Sequence, residues 1–123
     1  MRNRIISSLA MAALVVSIGV GTATNASAAN QCTRVGGIGN YCGYYTGNAE
    51  TEEWSTNTAA VKEIQDLINT DTNYVEAGGT ALAVDGSFGP ATKAAVRWFQ
   101  NWAQIHVDGN VGPQTWGALR GNG

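Results

Sequence analysis

The residues able to carry covalent or proton-transfer chemistry are few. The chain has one histidine, His106, and two cysteines, Cys32 and Cys42. A zinc peptidase of the H-E-x-x-H type needs two histidines one helical turn apart, and one histidine cannot supply them. A Cys/His hydrolase needs a free thiolate beside a base. Here the two cysteines are expected to be bonded to each other, which removes the nucleophile. A glycosidase needs two carboxylates across a cleft. Asp85 and Asp108 are a formal pair, but each opens an Asp-Gly dipeptide, where the carboxylate serves its own backbone turn. Glu50, Glu52 and Glu53 read as a solvated run ahead of a helix. The expectation is a protein that is not an enzyme, with no catalytic residue, no metal site and no cofactor.

The elements that must position these residues are written around a repeat. Residues 85–92 read D-G-S-F-G-P-A-T, and residues 108–115 read D-G-N-V-G-P-Q-T. The two copies agree at Asp, both Gly, Pro and Thr. The shared residues are those of turns and helix starts. Asp-Gly is a strong turn dipeptide because Gly accepts positive φ without steric cost. Pro90 and Pro113 suit a first helical position, where the missing N–H has no intrahelical partner anyway. Asp85, Gly86, Asp108 and Gly109 are therefore assigned to structural turns. Phe88 and Val111 are expected to enter the core and set the angle of each following helix.

Apolar periodicity places three helices. Over 58–69, Ala60, Val61, Ile64, Leu67 and Ile68 form one stripe, with Lys62, Glu63, Gln65 and Asp66 on the other face. Over 90–104, Thr92, Ala95, Val96, Phe99, Trp102 and Ala103 share a face, which leaves Trp98 as the tryptophan expected to be most exposed. A third helix runs from Pro113 to about Arg120. Residues 70–84 form a long connection. Three short helices without a convincing long strand give an all-α fold: a small three-helix bundle with a disulfide-closed irregular N-terminal segment.

Residues 1–28 have the layout of a signal peptide. Arg2 and Arg4 are followed by an apolar run from Ile5 to Val20, and Ala26-Ser27-Ala28 is a small-x-small cleavage site. The run is short for a membrane span, and the residues before Cys32 do not form a lipoprotein box, so the product is expected to be released, with no membrane attachment. Without Arg2 and Arg4, five basic residues face nine acidic ones, a net charge of −4. That balance does not suit nucleic acid or an anionic membrane surface. The domain order is then 1–28 signal peptide, 29–54 a Gly/Tyr-rich segment, and 55–123 the helical domain. Export favours a Cys32–Cys42 disulfide, whose short loop contributes roughly 3 kcal/mol in the chain-entropy account. Tyr41, Tyr44 and Tyr45 are read as covering that disulfide.

Residues 58–120 resemble the three-helix peptidoglycan-binding domain found beside many bacterial cell-wall hydrolases. The resemblance is carried by Val61-x-x-Ile64-Gln65-x-Leu67, by Val84-Asp85-Gly86-x-Phe88-Gly89-x-x-Thr92-x-x-Ala95-Val96-x-x-Phe99-Gln100, and by Val107-Asp108-Gly109-x-Val111-Gly112-x-x-Thr115-Trp116-x-x-Leu119. It implies a helical bundle, a noncatalytic role and bacterial wall peptidoglycan as the partner. Two features depart from the family: the connection 70–84 is longer, and the segment 29–54 lies outside the pattern. A polymer of N-acetyl sugars and short peptides asks for aromatic faces, amide side chains and a local positive charge. Arg97, Trp98, Gln100, Asn101, Asn110 and Gln114 are the candidate ligand-binding residues, with Arg97 and Trp98 favoured, and Trp116 is read as core. The leading expectation is a secreted, monomeric, extracellular or wall-associated binding module. The alternatives are a small wall hydrolase, or a protein-interaction or inhibitor module that uses residues 29–54.

Overall fold

The fold was analysed from a computed structural model that describes residues 32–121. The expected signal peptide over 1–28, residues 29–31 and the last two residues lie outside the described residues.

Three α-helices and one small antiparallel hairpin make up the described chain. β1 is Thr33–Val35 and β2 is Gly39–Tyr41, paired as Thr33↔Tyr41, Arg34↔Asn40 and Val35↔Gly39. α1 spans Thr58–Asp71, α2 Pro90–Trp102 and α3 Pro113–Leu119. α1 packs against α2, α3 and β2 and is the centre of the fold. The all-α expectation is thus corrected in one respect: the N-terminal segment is not irregular throughout but contains a hairpin. Its strands are three residues each, too short to register as alternation among the surrounding glycines. The Cys32–Cys42 disulfide closes this hairpin at its open end.

Each helix start has a local cause. Asn57 caps α1 by accepting a hydrogen bond from the Ala60 N–H at 3.2 Å, which satisfies one of the unpaired donors of the first turn. α2 and α3 have no side-chain cap; Gly89 and Gly112 are extended there, and Pro90 and Pro113 follow at the first helical position, where proline costs no hydrogen bond. α2 ends in a left-handed residue, Gln104 at φ 60°. The Ile105 N–H bonds the Gln100 carbonyl and the Gln104 N–H the Asn101 carbonyl. This is the Schellman arrangement, with glutamine where glycine is usual.

The core collects Val61, Ile64, Leu67 and Ile68 from α1, Ala95, Val96 and Phe99 from α2, Trp116 and Leu119 from α3, and Phe88 and Val111 from the two turns. Two expectations for the helix faces fail. Glu63, Gln65 and Asp66 are all buried. The N-terminal segment and the first turn cover the face of α1 that periodicity alone assigns to solvent. Trp102 is 53% exposed, not inward, because α2 stops there, and Trp98 is half-buried. Among the described residues, no helix is long and apolar enough to cross a membrane.

Glu63 shows why the N-terminal segment stays in place. Its carboxylate accepts the backbone N–H groups of Cys42, Tyr44 and Tyr45 at 2.8, 3.0 and 3.3 Å. It also pairs with Arg120 at 3.2 Å. Arg120 in turn donates to the carbonyls of Asn40, Tyr45 and Gly47 and lies over the Trp116 ring. A buried ion pair needs such additional bonds to offset desolvation of both charges. One network therefore ties hairpin, α1 and the end of α3 together.

Candidate functional site

The two Asp-Gly turns are held by twin glutamines. Gln65 Oε1 accepts the N–H groups of Asp85 and Gly86, both at 3.0 Å. Its Nε2 donates to Asp85 Oδ1, the Ser87 carbonyl and Thr92 Oγ1, at 3.0, 3.1 and 3.1 Å. Gln100 repeats every bond on the second turn. Its Oε1 accepts from Asp108 and Gly109 at 3.0 and 2.9 Å. Its Nε2 donates to Asp108 Oδ1, the Asn110 carbonyl and Thr115 Oγ1 at 3.0, 2.8 and 3.1 Å. Gly86 and Gly109 have φ of 78° and 79°, a left-handed conformation that residues with a Cβ resist. Asp85 and Asp108 accept the N–H two residues on, from Ser87 and Asn110, each at 2.9 Å. These backbone bonds, helped by the glutamine amides, hold both carboxyls below their ordinary range, because they favour the charged form. Both carboxylates are thus engaged by their own turns.

Gln100 is placed among the ligand-binding candidates by sequence, but it is fully buried. Its amide is consumed by the second turn, so it presents nothing to a ligand; that assignment is corrected. Asn110 is half-buried, and its main-chain N–H and carbonyl serve the same turn. Arg97, Asn101 and Gln114 are exposed. Arg97 runs along the second turn, where a Cβ added to Gly109 would meet its Cγ at 3.3 Å. Trp98 packs instead against Tyr74 of the long connection, centroids 5.1 Å apart. Arg97 and Trp98, adjacent in sequence, therefore serve different surfaces. His106 is exposed, with Nε2 3.9 Å from Asp108.

A concave surface lies elsewhere. The long connection and the start of α2 enclose a groove of about 380 Å³. Tyr74, Thr80 and Leu82 form one wall, Pro90, Ala91 and Ala94 the other, and Asp85 and Ser87 line one side. Asn69 fixes the wall by bonding both the N–H and the carbonyl of Leu82 at 2.8 Å. Tyr74 is shared with a row of rings. It meets Trp98 edge-on, and Trp98 stacks on Trp102 with centroids 6.0 Å apart and planes 10° from parallel. Pro90, Ala94, Trp98 and Trp102 recur every four residues, which sets them along one winding face of α2.

Sequence reasoning missed Tyr74, Trp102 and Trp54 as surface aromatics. Trp54 is 68% exposed, holds a left-handed φ of 68°, and lies against Gly89 at the groove's helix end. Its N–H bonds the Phe88 carbonyl, while Thr51 pairs with Val111. Residues 51–54 thus bridge equivalent positions of the two turns. The four-residue spacing along α2 was the available signal for Trp102.

A metal is expected to find no site, yet Cys32, Cys42 and Asp66 bring ligand atoms within 4.8 Å of one another. The two sulfurs are joined as a disulfide, which leaves Asp66 the sole anionic donor of the three.

The comparisons with known proteins agree with this layout. The family model "Putative peptidoglycan binding domain" matches residues 57–119, from the cap of α1 to the last residue of α3. A Kitasatospora aureofaciens protein described as "Uncharacterized protein in bpoA1 3'region" is 35% identical over 106 residues, 86% of this chain and 80% of its own length. The zinc D-Ala-D-Ala carboxypeptidase of Streptomyces albus G is 38% identical over 82 residues, 67% of this chain. The aligned region spans 30% of that enzyme's length. No solved structure matches. With all three helices and both clamped turns inside the matched range, the chain belongs to the peptidoglycan-binding domain family.

Proposed function

We propose that this protein is a secreted, noncatalytic module that holds bacterial cell-wall peptidoglycan. The observation that carries the reading is the family match across the whole helical unit, which includes both walls of the groove. The noncatalytic part is supported by how the reactive groups are used. The two cysteines are joined, Asp85 and Asp108 serve their own turns, and Glu63 is paired with Arg120. The release part is supported by the layout of residues 1–28 and by the disulfide, which suits an oxidising compartment.

The carboxypeptidase likeness favours one alternative, a small wall peptidase or hydrolase. Its aligned part is 30% of that enzyme, so most of the enzyme's length lies outside the alignment. The chain lacking residues 1–28 is expected to sediment with insoluble peptidoglycan and to release no reducing ends or free D-alanine. A protein that stays in the supernatant at every ionic strength would overturn the binding reading, and measurable turnover would overturn the noncatalytic one.

A further inference from the structure

We infer that the groove beside α2 takes the glycan strand of peptidoglycan and not its stem peptides, an inference that rests on the wall-binding reading above. The stacked pair Trp98 and Trp102 presents a flat apolar platform, and Trp102 remains half open to solvent at the helix end. Tyr74 buttresses Trp98 edge-on and at the same time lines the groove, so platform and groove form one continuous surface. The C–H face of a pyranose ring fits such a platform, while its hydroxyl and acetamido groups need neutral donors and acceptors at the edge. Thr80 and Ser87 supply neutral groups, and the Asp85 carboxylate adds a charged acceptor. On the helix side, Pro90, Ala91 and Ala94 are short, which lets a bulky ring approach the backbone.

Charge separates glycan from peptide. Among the described residues, no lysine, arginine or histidine lines the groove, and its charged residue is Asp85. A stem peptide brings free carboxylates, which that side chain repels. The nearest cations of α2 are directed elsewhere: Lys93 pairs with Glu53 at 3.4 Å, and Arg97 lies along the second turn. Trp54 is an independent sign of selection at the other end of α2. A bulky residue in a left-handed conformation persists only where the surroundings impose it, commonly at binding sites. Its ring is nonetheless two-thirds exposed against Gly89, a groove residue.

The test uses the full chain after removal of residues 1–28 and three ligands. These are insoluble peptidoglycan, the same material stripped of stem peptides by an amidase, and a soluble β-1,4-linked oligomer of N-acetylglucosamine read by tryptophan fluorescence. The oligomer is uncharged, whereas amidase leaves a lactyl carboxylate on alternate sugars of the stripped strand. The oligomer is therefore expected to perturb the fluorescence, and binding to survive stripping with an affinity lowered by repulsion from Asp85. Trp102→Ala is expected to weaken binding to the stripped glycan about two- to tenfold, the range of one aromatic contact, with an unchanged circular dichroism spectrum. Trp54→Ala should act in the same direction, and Arg97→Gln should change affinity less than about twofold. Binding confined to the unstripped wall, with no response to the uncharged oligomer, would overturn the inference and leave the wall-binding reading standing. So would parent-like affinity in both tryptophan variants. Loss of binding to intact peptidoglycan itself would overturn both.

Discussion

Replacing Gln100 tests the clamp that organises the second turn. Gln100→Met keeps the volume and removes five hydrogen bonds. The Gly109 N–H is left buried without a partner, which costs about 1–3 kcal/mol. The remaining four bonds are worth about 0.5–1.5 kcal/mol each, but those to Asp108 and Asn110 are partly recovered by water, since Asp108 is exposed. The sum is about 3–5 kcal/mol, a large part of the roughly 5–15 kcal/mol available to a domain. Gln100→Glu is the sharper variant. It keeps the acceptor that receives Asp108 and Gly109 but turns the donor into an oxygen facing Asp108 Oδ1, the Asn110 carbonyl and Thr115 Oγ1. Burial and the Asp108 charge raise the pKa of the introduced carboxyl in the folded state. Its deficit is therefore greatest above that raised value and shrinks as pH falls and the carboxyl becomes a donor again. Urea unfolding followed by circular dichroism at pH 7 and pH 4.5 measures both effects. The same changes at Gln65 should cost a similar amount, because the bonds are the same. A Gln100→Met protein within about 0.5 kcal/mol of the parent, the range of an ordinary surface substitution, would refute the clamp.

Three further perturbations address the N-terminal segment. Glu63→Gln strands the buried Arg120 charge and should cost about 3–5 kcal/mol by the same unfolding assay. A loss below about 1 kcal/mol, no more than an exposed ion pair is worth, would show that the network is not holding the hairpin. Asp66 is buried with both oxygens lacking a hydrogen-bond partner among the described residues. Burial, then Glu63 and Asp71, push its carboxyl up to about 6. The folded state thus favours the protonated form, so the stability Asp66 contributes is present below about pH 4 and is lost as pH rises through about 6. Asp66→Asn should accordingly be more stable than the parent at pH 7, by about 1–3 kcal/mol, with the advantage gone near pH 4. Replacing both Cys32 and Cys42 by Ala should lower stability by roughly 3 kcal/mol, and thiol titration of the unfolded, unreduced parent should find no free thiol.

Much of this architecture is legible in the sequence because it rests on local physics. The repeated D-G-x-[FV]-G-P-x-T fixes two turns and two helix starts through glycine φ and proline position, and the stripe of α1 marks the core. What escaped depends on tertiary cover. Gln65 and Gln100 look like surface amides by periodicity; each is drawn inside by a turn further along the chain. Glu63 and Asp66 are polar residues on a polar face until the hairpin lies over them. Trp102 falls on the apolar stripe, yet helix termination leaves it in solvent, and helix ends are poorly marked when glutamine fills the left-handed position. The groove is illegible for the same reason: one wall is a connection without regular structure, pinned by Asn69 near its far end at Leu82.

The central claim is retention of this module by the bacterial wall. The most direct measurement is sedimentation of the chain lacking residues 1–28 with purified insoluble peptidoglycan across ionic strengths. The account predicts that the protein enters the pellet in a saturable manner and that salt changes the bound fraction little, since the groove is lined by small apolar residues, Tyr74, hydroxyls and one carboxylate. Protein that remains in the supernatant at low and high salt alike would contradict it.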